Sequence, residues 1–284
     1  MGLVRRRLPN GLEVTQVDPG EAALIYREIF VEESYLRDGF PSTVPEVIFD
    51  VGANIGLASI FFKQRFPDAF VVAAEPGPGT YAALRENFAR HVPSGVAREV
   101  AVSDRDGVRR FGYYPQAPAE SGFYADQRQE TELARRLLVG SGVPGPAADR
   151  LARERHRLSY VDCRTVTLST LIREQGVDRV DLLKIDVEKG ELDVLAGIEE
   201  PDWARIGHLV LEVHDIAGRL ARVVSMLRGR GFRVDSCQED RLSGTGMHLL
   251  HATAERRPAA LPSGGTSGRA GRTPSGAPGA GGPA

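Results

Sequence analysis

Cysteine is nearly absent: Cys163 and Cys237 are the only two in 284 residues, with no CxxC or histidine-rich spacing around either. That excludes a disulfide framework and a structural zinc site, and leaves small buried strand residues as their reading. A positive excess is also missing, since 36 Lys+Arg stand against 38 Asp+Glu for a net charge of -2. Without a basic field, nucleic acid is not an expected partner. No apolar run reaches the roughly 20 residues of a membrane span, and no apolar segment follows the basic start of the chain as in a signal peptide. A soluble cytoplasmic protein is therefore expected; nothing in the pattern sets an oligomeric state.

What is present is alternation. Short β-rich runs at 46–51, 69–74, 97–102, 108–113, 163–166, 180–186 and 208–213 are separated by amphipathic stretches at 55–65, 79–91, 168–175, 191–195 and 217–230. Buried strands alternating with helices predict an α/β fold with a mostly parallel sheet and helices on both faces. The final pair, 232–237 and 247–252, reads as antiparallel. Residues 1–44 form an N-terminal extension with a helix near 21–33. The pattern lapses between 115 and 160, which reads as an insertion carrying helices near 127–139 and 147–157. Residues 255–284 are rich in Gly, Pro, Ser and Ala with Leu261 as the one bulky aliphatic residue. Such a segment cannot offset its ordering entropy and is expected to be a disordered tail, leaving 45–254 as the main domain.

The sharpest motif is Asp50-Val-Gly-Ala-Asn-Ile-Gly56, where a buried strand gives way to a helix. Glycines there allow a tight turn and close backbone approach to a ligand at the carboxyl end of a parallel strand. The second strand ends in Glu75, whose carboxylate suits the two hydroxyls of a ribose. Asn54 occupies the middle place of a G-x-G-x-x-G fingerprint, which counts against a nicotinamide-dependent oxidoreductase. Pyrophosphate favours bare amides at a helix N-terminus, whereas Asp50 suits a cofactor with a cationic amino-acid portion. The loop points to S-adenosylmethionine.

Phe49-Asp-Val-Gly-Ala-Asn-Ile-Gly56, Ala74-Glu-Pro76, Leu84-Arg-Glu-Asn87, Leu183-Lys-Ile-Asp-Val-Glu-Lys-Gly-Glu191 and Leu211-Glu-Val-His214 together resemble the FkbM-type class I methyltransferases. The resemblance runs from about residue 8 to 252. It departs at Ala74, where an aromatic residue often stands, and at Lys189-Gly190, where Glu-Gly is common. It implies a Rossmann-like seven-stranded sheet with a reversed last strand, S-adenosylmethionine as cofactor, and methylation of a hydroxyl. Ser121-Gly-Phe-Tyr-Ala125 is similar to segments in members found beside polyketide and nonribosomal peptide assembly lines, so a small-molecule or carrier-bound acceptor is implied. By the same resemblance Asp50, Gly52, Asn54 and Gly56 surround the methionine portion and Glu75 the ribose. Ser103-Asp104 has two readings, an adenine contact or a polar turn into Arg105-Asp106-Gly107.

A hydroxyl attacks a methyl group well only as its proton leaves, so a base is expected. Asp186 and the pair Glu212 and His214 end two strands at the edge where such sheets bind ligands. His214 titrates nearest neutrality and is the expected general base, with Glu212 on the same strand face. A divalent metal held by Asp186, Glu212 and His214 is the less favoured chemistry. Glu188 and Glu191 read as carboxylates favouring a helix N-terminus, and Lys184 as an ion-pair partner of Asp50 or Asp186. Phe123, Tyr124 and Tyr160 at the margins of the insertion suggest a cover over an acceptor pocket; a solvated decoration is the competing reading. Tyr113, Tyr114 and Trp203 read as packing residues, and a non-catalytic module built on the same fold is the other alternative.

Overall fold

The computed structural model describes residues 2–36, 40–238 and 246–255. The chain opens with an antiparallel hairpin, β1 (Val4–Arg7) and β2 (Glu13–Gln16), then α1 (Pro19–Tyr26), which runs on as a wider π-helical turn over Arg27–Val31. Asp18 caps α1 by accepting from Glu21 N at 2.7 Å, and Pro19 suits the first turn, where no amide is needed. There follow β3 (Val47–Val51), α2 (Leu57–Arg65), β4 (Phe70–Ala74), α3 (Pro78–His91), β5 (Gly95–Arg98), β6 (Ala101–Val102) and β7 (Gly107–Tyr113). The helices α4 (Gln127–Gly140) and α5 (Gly145–Arg155) precede β8 (Ser159–Val166), α6 (Leu168–Gln175) and β9 (Val180–Ile185). The chain then runs through α7 (Glu191–Ala196), α8 (Glu200–Trp203), β10 (Ile206–His214), α9 (Arg219–Gly229), β11 (Phe232–Cys237) and β12 (Met247–Ala254).

Seven strands form the central sheet in the order β11-β12-β10-β9-β3-β4-β5. Neighbours from β10 through β5 pair in parallel, while β12 runs antiparallel to both β10 and β11. This is the expected mostly parallel sheet with a reversed last strand. Alternate residues feed opposite cores. Phe49, Val51, Leu183, Leu209 and Leu211 pack against α6, α7 and α9, and Ile48, Val71, Leu182 and Val210 against α2 and α3. Each fully buried side chain of this size contributes about 1.5–3 kcal/mol of apolar burial. The N-terminal segment shares the second core through Val14, Val17, Ala22, Ile29 and Tyr35. Asn87 fastens it there, accepting from Thr15 N at 2.7 Å and donating to Thr15 O and Ile55 O.

Two sequence expectations change. The strand read at 97–102 is two strands in two sheets: β5 ends at Arg98, and β6 pairs with β8 instead. The strand read at 163–166 begins at Ser159, and its outer half is exposed, which is why it carries no apolar signal. Together β6, β8 and β7 make a small separate sheet whose long β7–β8 pair brackets the helices of the insertion. Cys163 is a buried residue of that sheet and Cys237 a half-buried one of β11, both unpaired, while Tyr114 and Trp203 are packed in the interior. The expected tail lies, from residue 256 onward, outside the described residues.

Candidate active site

The carboxyl ends of β3, β4, β9 and β10 meet at a cavity of about 230 Å³. Strand order reverses between β3 and β9, so their crossover helices diverge and leave a crevice. At this switch point Gly52 takes φ +75°, and a Cβ there would lie 1.8 Å from the Asp186 carbonyl oxygen. Only glycine permits that approach. Asn54 also has positive φ, a conformation its side chain supports by accepting from Ile55 N at 2.6 Å. Gly56, at φ +89°, starts α2, and a Cβ there would meet Leu84 Cδ1 at 2.7 Å, so its glycine serves helix packing rather than the cavity wall.

Glu75 reaches the cavity from the end of β4. Its Oε2 accepts from Asn54 N at 2.9 Å and its Oε1 from Gly77 N at 2.8 Å. The single Thr80 hydroxyl proton lies within reach of both Glu75 Oε1 and Gly77 O. When it turns to Gly77, each Glu75 oxygen keeps one lone pair for a pair of ligand hydroxyls. Burial pushes the Glu75 carboxyl up from its ordinary range.

The opposite wall is built by charge. Lys184 Nζ lies 3.1 Å from Asp50 Oδ1 and 3.3 Å from Asp186 Oδ2, and donates to Gly52 O at 2.8 Å. Burial opposes its charge, but Asp50 and Asp186 outweigh that and hold the ammonium above its usual range. Tyr35 donates to Asp186 Oδ2 at 2.9 Å and keeps its proton, because burial and the Asp186 charge raise the phenol. Asp50 is fully buried and also accepts from Ser59 Oγ at 2.6 Å; it lies behind the wall, holding Lys184, instead of beside a ligand.

His214 departs most from expectation. Its Nδ1 is 2.7 Å from Glu191 Oε1 and its Nε2 3.1 Å from Glu188 Oε2. Burial alone would press the imidazole down, but these two carboxylates outweigh it and push it up to about 11. An imidazolium with both nitrogens engaged has no lone pair for a substrate proton, and the expected free base at residue 214 is replaced by a fixed cation. Glu191 is no mere helix-end charge: it is fully buried and also holds Arg219 at 2.7 Å. Glu212 lines the cavity without a hydrogen-bond partner among the described residues. Burial, with Asp186, Glu28 and Glu188 nearby, raises its carboxyl well above the usual range.

A sequence profile of the Methyltransferase FkbM domain matches residues 50–234, which carry the glycine loop, Glu75, Asp186 and Glu212. The chain belongs to the FkbM methyltransferase family. It is 44% identical over 247 residues to the 31-O-demethyl-FK506 methyltransferase FkbM of Streptomyces tacrolimicus, covering 87% of this chain and 95% of that one. It is 38% identical to the AMB antimetabolite synthetase AmbE of Pseudomonas aeruginosa, over 86% of this chain and 12% of that much longer protein. Methyltransferase sdnD of Sordaria araneosa is 33% identical over 75% of this chain and 83% of its own length. Among solved structures, an O-methyltransferase family protein from Burkholderia thailandensis covers 83% of this chain and 58% of its own, with a TM-score of 0.41 and 10% identity.

Within this FkbM domain the cavity gathers Gly52, Asn54, Glu75, Asp186, Glu188 and Glu212. It does not gather Asp50, Gly56, Ser103, Asp104 or His214. Ser103 is buried with its hydroxyl 2.7 Å from Arg109, and Asp104 lies 3.6 Å from the same guanidinium. Ala101 and Val102, just before them, form the wall there. Asp186, Glu212 and His214 do not converge, and among the described residues no group of three His, Cys, Asp or Glu side chains is placed to hold a metal. Pro118, Ala119, Ser121, Gly122 and Phe123 of the insertion line the cavity, whereas α4 and α5 do not; Lys189 ties α4 back to the loop after β9 through Glu130. Tyr160 is half exposed under Arg110, and Tyr124 donates to Asp193. Tyr35 and Glu21 of the N-terminal segment carry no sequence signal, because their partners lie far along the chain.

Proposed function

We propose that this methyltransferase transfers a methyl group from S-adenosylmethionine to a hydroxyl of a small molecule in natural-product biosynthesis. One observation carries the reading: a single cavity has Gly52 and Glu75 on one wall and Asp186 and Glu212 on the other. The residues present fit the cofactor. Gly52 lets the loop close against the Asp186 carbonyl at the cavity wall, Glu75 has acceptor capacity left for a diol, and the apolar Ala101, Val102 and Phe111 offer a dry surface for a flat base. Bound there, the cofactor supplies an electrophilic methyl group on a cationic sulfur, and the surrounding acidic groups suit that charge.

In this reading Asp186 takes up the acceptor hydroxyl proton. It faces the cavity, and Lys184 and Tyr35 fix its orientation by engaging Oδ2, leaving Oδ1 for substrate. Glu212, whose carboxyl burial raises, is the proton donor in this reading and orients the acceptor oxygen by donating to it. His214 is a positioning residue that steadies Glu188 at the cavity wall. Residues 118–123 close the pocket and exclude water. Acceptor chemistry is carried over from the relatives: one is named for 31-O-demethyl-FK506 and another is an antimetabolite synthetase, so a free or carrier-bound alcohol is the acceptor class. The cytoplasm, where thiols such as Cys163 and Cys237 stay reduced, is the compartment assigned.

Calorimetry with S-adenosylhomocysteine tests the cofactor half, and no binding at saturating ligand would refute it. Metabolite profiling of a deletion strain tests the rest. The expected product is lighter by one methyl group, and an unchanged profile counts against the acceptor reading.

A further inference from the structure

Three segments far apart in the sequence meet at the cavity: the glycine loop, the 118–123 stretch of the insertion, and the N-terminal helix α1. One side chain touches all three. Glu21 lies on α1, is 7% exposed, and accepts from Asn54 Nδ2 through Oε1 at 3.1 Å and from Ala119 N through Oε2 at 3.0 Å. In an ordinary capping box the acidic residue at this place turns back to the amide of its cap. Here Asp18 accepts from Glu21 N, but the Glu21 carboxylate points across to two segments 33 and 98 residues away. Asn54 is in turn the residue whose amide nitrogen meets Glu75, and Ala119 is part of the cavity wall.

We infer that Glu21 is a positioning residue that locks the glycine loop to the insertion and thereby sets the affinity of the cavity for its cofactor. The inference rests on the reading of this cavity as the S-adenosylmethionine site. Glu21 does not line the cavity and touches no reacting atom; it acts by holding Asn54 and Ala119 in one arrangement before ligand arrives, so that less ordering is left to binding. Its charged and titratable surroundings are Asp18 on its own segment, Arg155 from α5 and Tyr113 from β7, with Glu75 on the far side of Asn54. Burial is the largest influence and pushes the Glu21 carboxyl up to about 7, against the two hydrogen bonds and Arg155, which favour the ionised form. The lock is therefore strongest above neutrality. As pH falls through about 7 the carboxylate gains a proton and the charge-assisted bonds weaken.

The test compares wild type with Glu21→Gln by calorimetric titration with S-adenosylhomocysteine at pH 8 and pH 6, and by hydrogen exchange over residues 117–124. The amide variant keeps one acceptor oxygen and turns an NH₂ toward the other donor. It is expected to bind about tenfold or more weakly than wild type at pH 8, as loss of a buried charged hydrogen bond implies, and to match it at pH 6. His156, paired with Glu120, is present in both proteins, so its own titration cancels in the ratio. Exchange at Ala119 should quicken in the variant. Equal affinity at pH 8 with unchanged exchange would overturn the inference. Should Glu21→Gln not fold, wild type alone carries the test: after correction for intrinsic chemistry, exchange at Ala119 rises between pH 8 and pH 6, and a flat response overturns it. Wild type that binds no S-adenosylhomocysteine at either pH would sink the cofactor reading and the affinity claim with it, while exchange would still decide whether Glu21 joins the segments.

Discussion

The two walls of the cavity are built by different means. The Gly52 and Glu75 wall is set by backbone: a positive φ, a carbonyl where a Cβ would be, and amides pointed at one carboxylate. The Asp186 and Glu212 wall is set by side-chain charge, with Lys184 between two aspartates and His214 between two glutamates. Backbone constraints fix a residue type at a position and tolerate almost no exchange. Charge networks fix a sum, and the role of each member depends on its neighbours. The first wall should therefore respond to volume and the second to charge.

The largest expected effect is on the second wall. Asp186→Asn preserves shape and an acceptor for Tyr35, and Lys184 retains Asp50 and Gly52 O. Removing a general base lowers turnover by about 10²–10⁴-fold, so kcat should fall within that range while S-adenosylhomocysteine affinity stays within a few-fold. A kcat near wild type would move the base elsewhere.

Gly52→Ala tests the first wall by volume alone. The added methyl meets the Asp186 carbonyl at 1.8 Å, and the residue also occupies the left-handed region. Overpacking costs about 1–3 kcal/mol and the conformation about 1–2 kcal/mol. Gly142→Ala separates the two, since Gly142 has φ +88° with nothing within 4 Å of a Cβ. It should lose only the conformational part in chemical denaturation and none of the ligand affinity, whereas Gly52→Ala should lose both. Equal behaviour of the two variants would show that the close approach is not what residue 52 provides.

The walls also differ in how much of them was legible in the sequence. The parallel strands, the reversed last strand and the glycine loop follow from local signals: apolar runs of strand length, a loop where a strand meets a helix, a carboxylate at the next strand end. The break at Glu99-Val100 was not legible, because an apolar run says that a strand is buried but not which sheet accepts it; Ala101-Val102 finds Thr165-Val166 instead of continuing beside β4. The charge of His214 was not legible either. Its edge position and unperturbed acidity suggest a base, but its partners Glu188 and Glu191 sit on another strand's exit loop and helix, and only their convergence makes it a cation. Tyr35 reaches Asp186 across 151 positions, beyond any local pattern.

That cation gives a pH prediction with a definite sign. The folded-state acidity of His214 is raised to about 11, above the ordinary imidazole value of 6.5. Between those values the folded protein holds a proton that the unfolded chain releases, so stability falls as pH rises through this window and is fully present below it. Urea midpoints should drop from pH 7 to pH 10 in wild type and drop less in His214→Gln. Because that variant leaves Glu191 buried with a partner removed, it should also lose about 3–5 kcal/mol at pH 7. A pH-independent difference between the two would mean that the imidazole is neutral in the folded state, and the base assignment would return to residue 214.

The smallest expected effect sharpens the contrast most. Glu212 lies in the charge-built wall, yet burial first and the neighbouring Asp186, Glu28 and Glu188 second raise its carboxyl, and the role proposed for it is that of a proton donor. Glutamine is nearly the same shape and keeps both a donor and an acceptor there. Glu212→Gln should leave kcat within about threefold, the loss being at most one ordinary neutral hydrogen bond to the acceptor. It should also leave the alkaline limb of the pH–rate profile in place. A 10²-fold loss would require an ionised Glu212 at the moment of reaction, and the proton would then leave through Glu212 while Asp186 served only to hold Lys184 and Tyr35. The pair of substitutions at 186 and 212 thus decides which carboxyl faces the alcohol as a base and which as an acid.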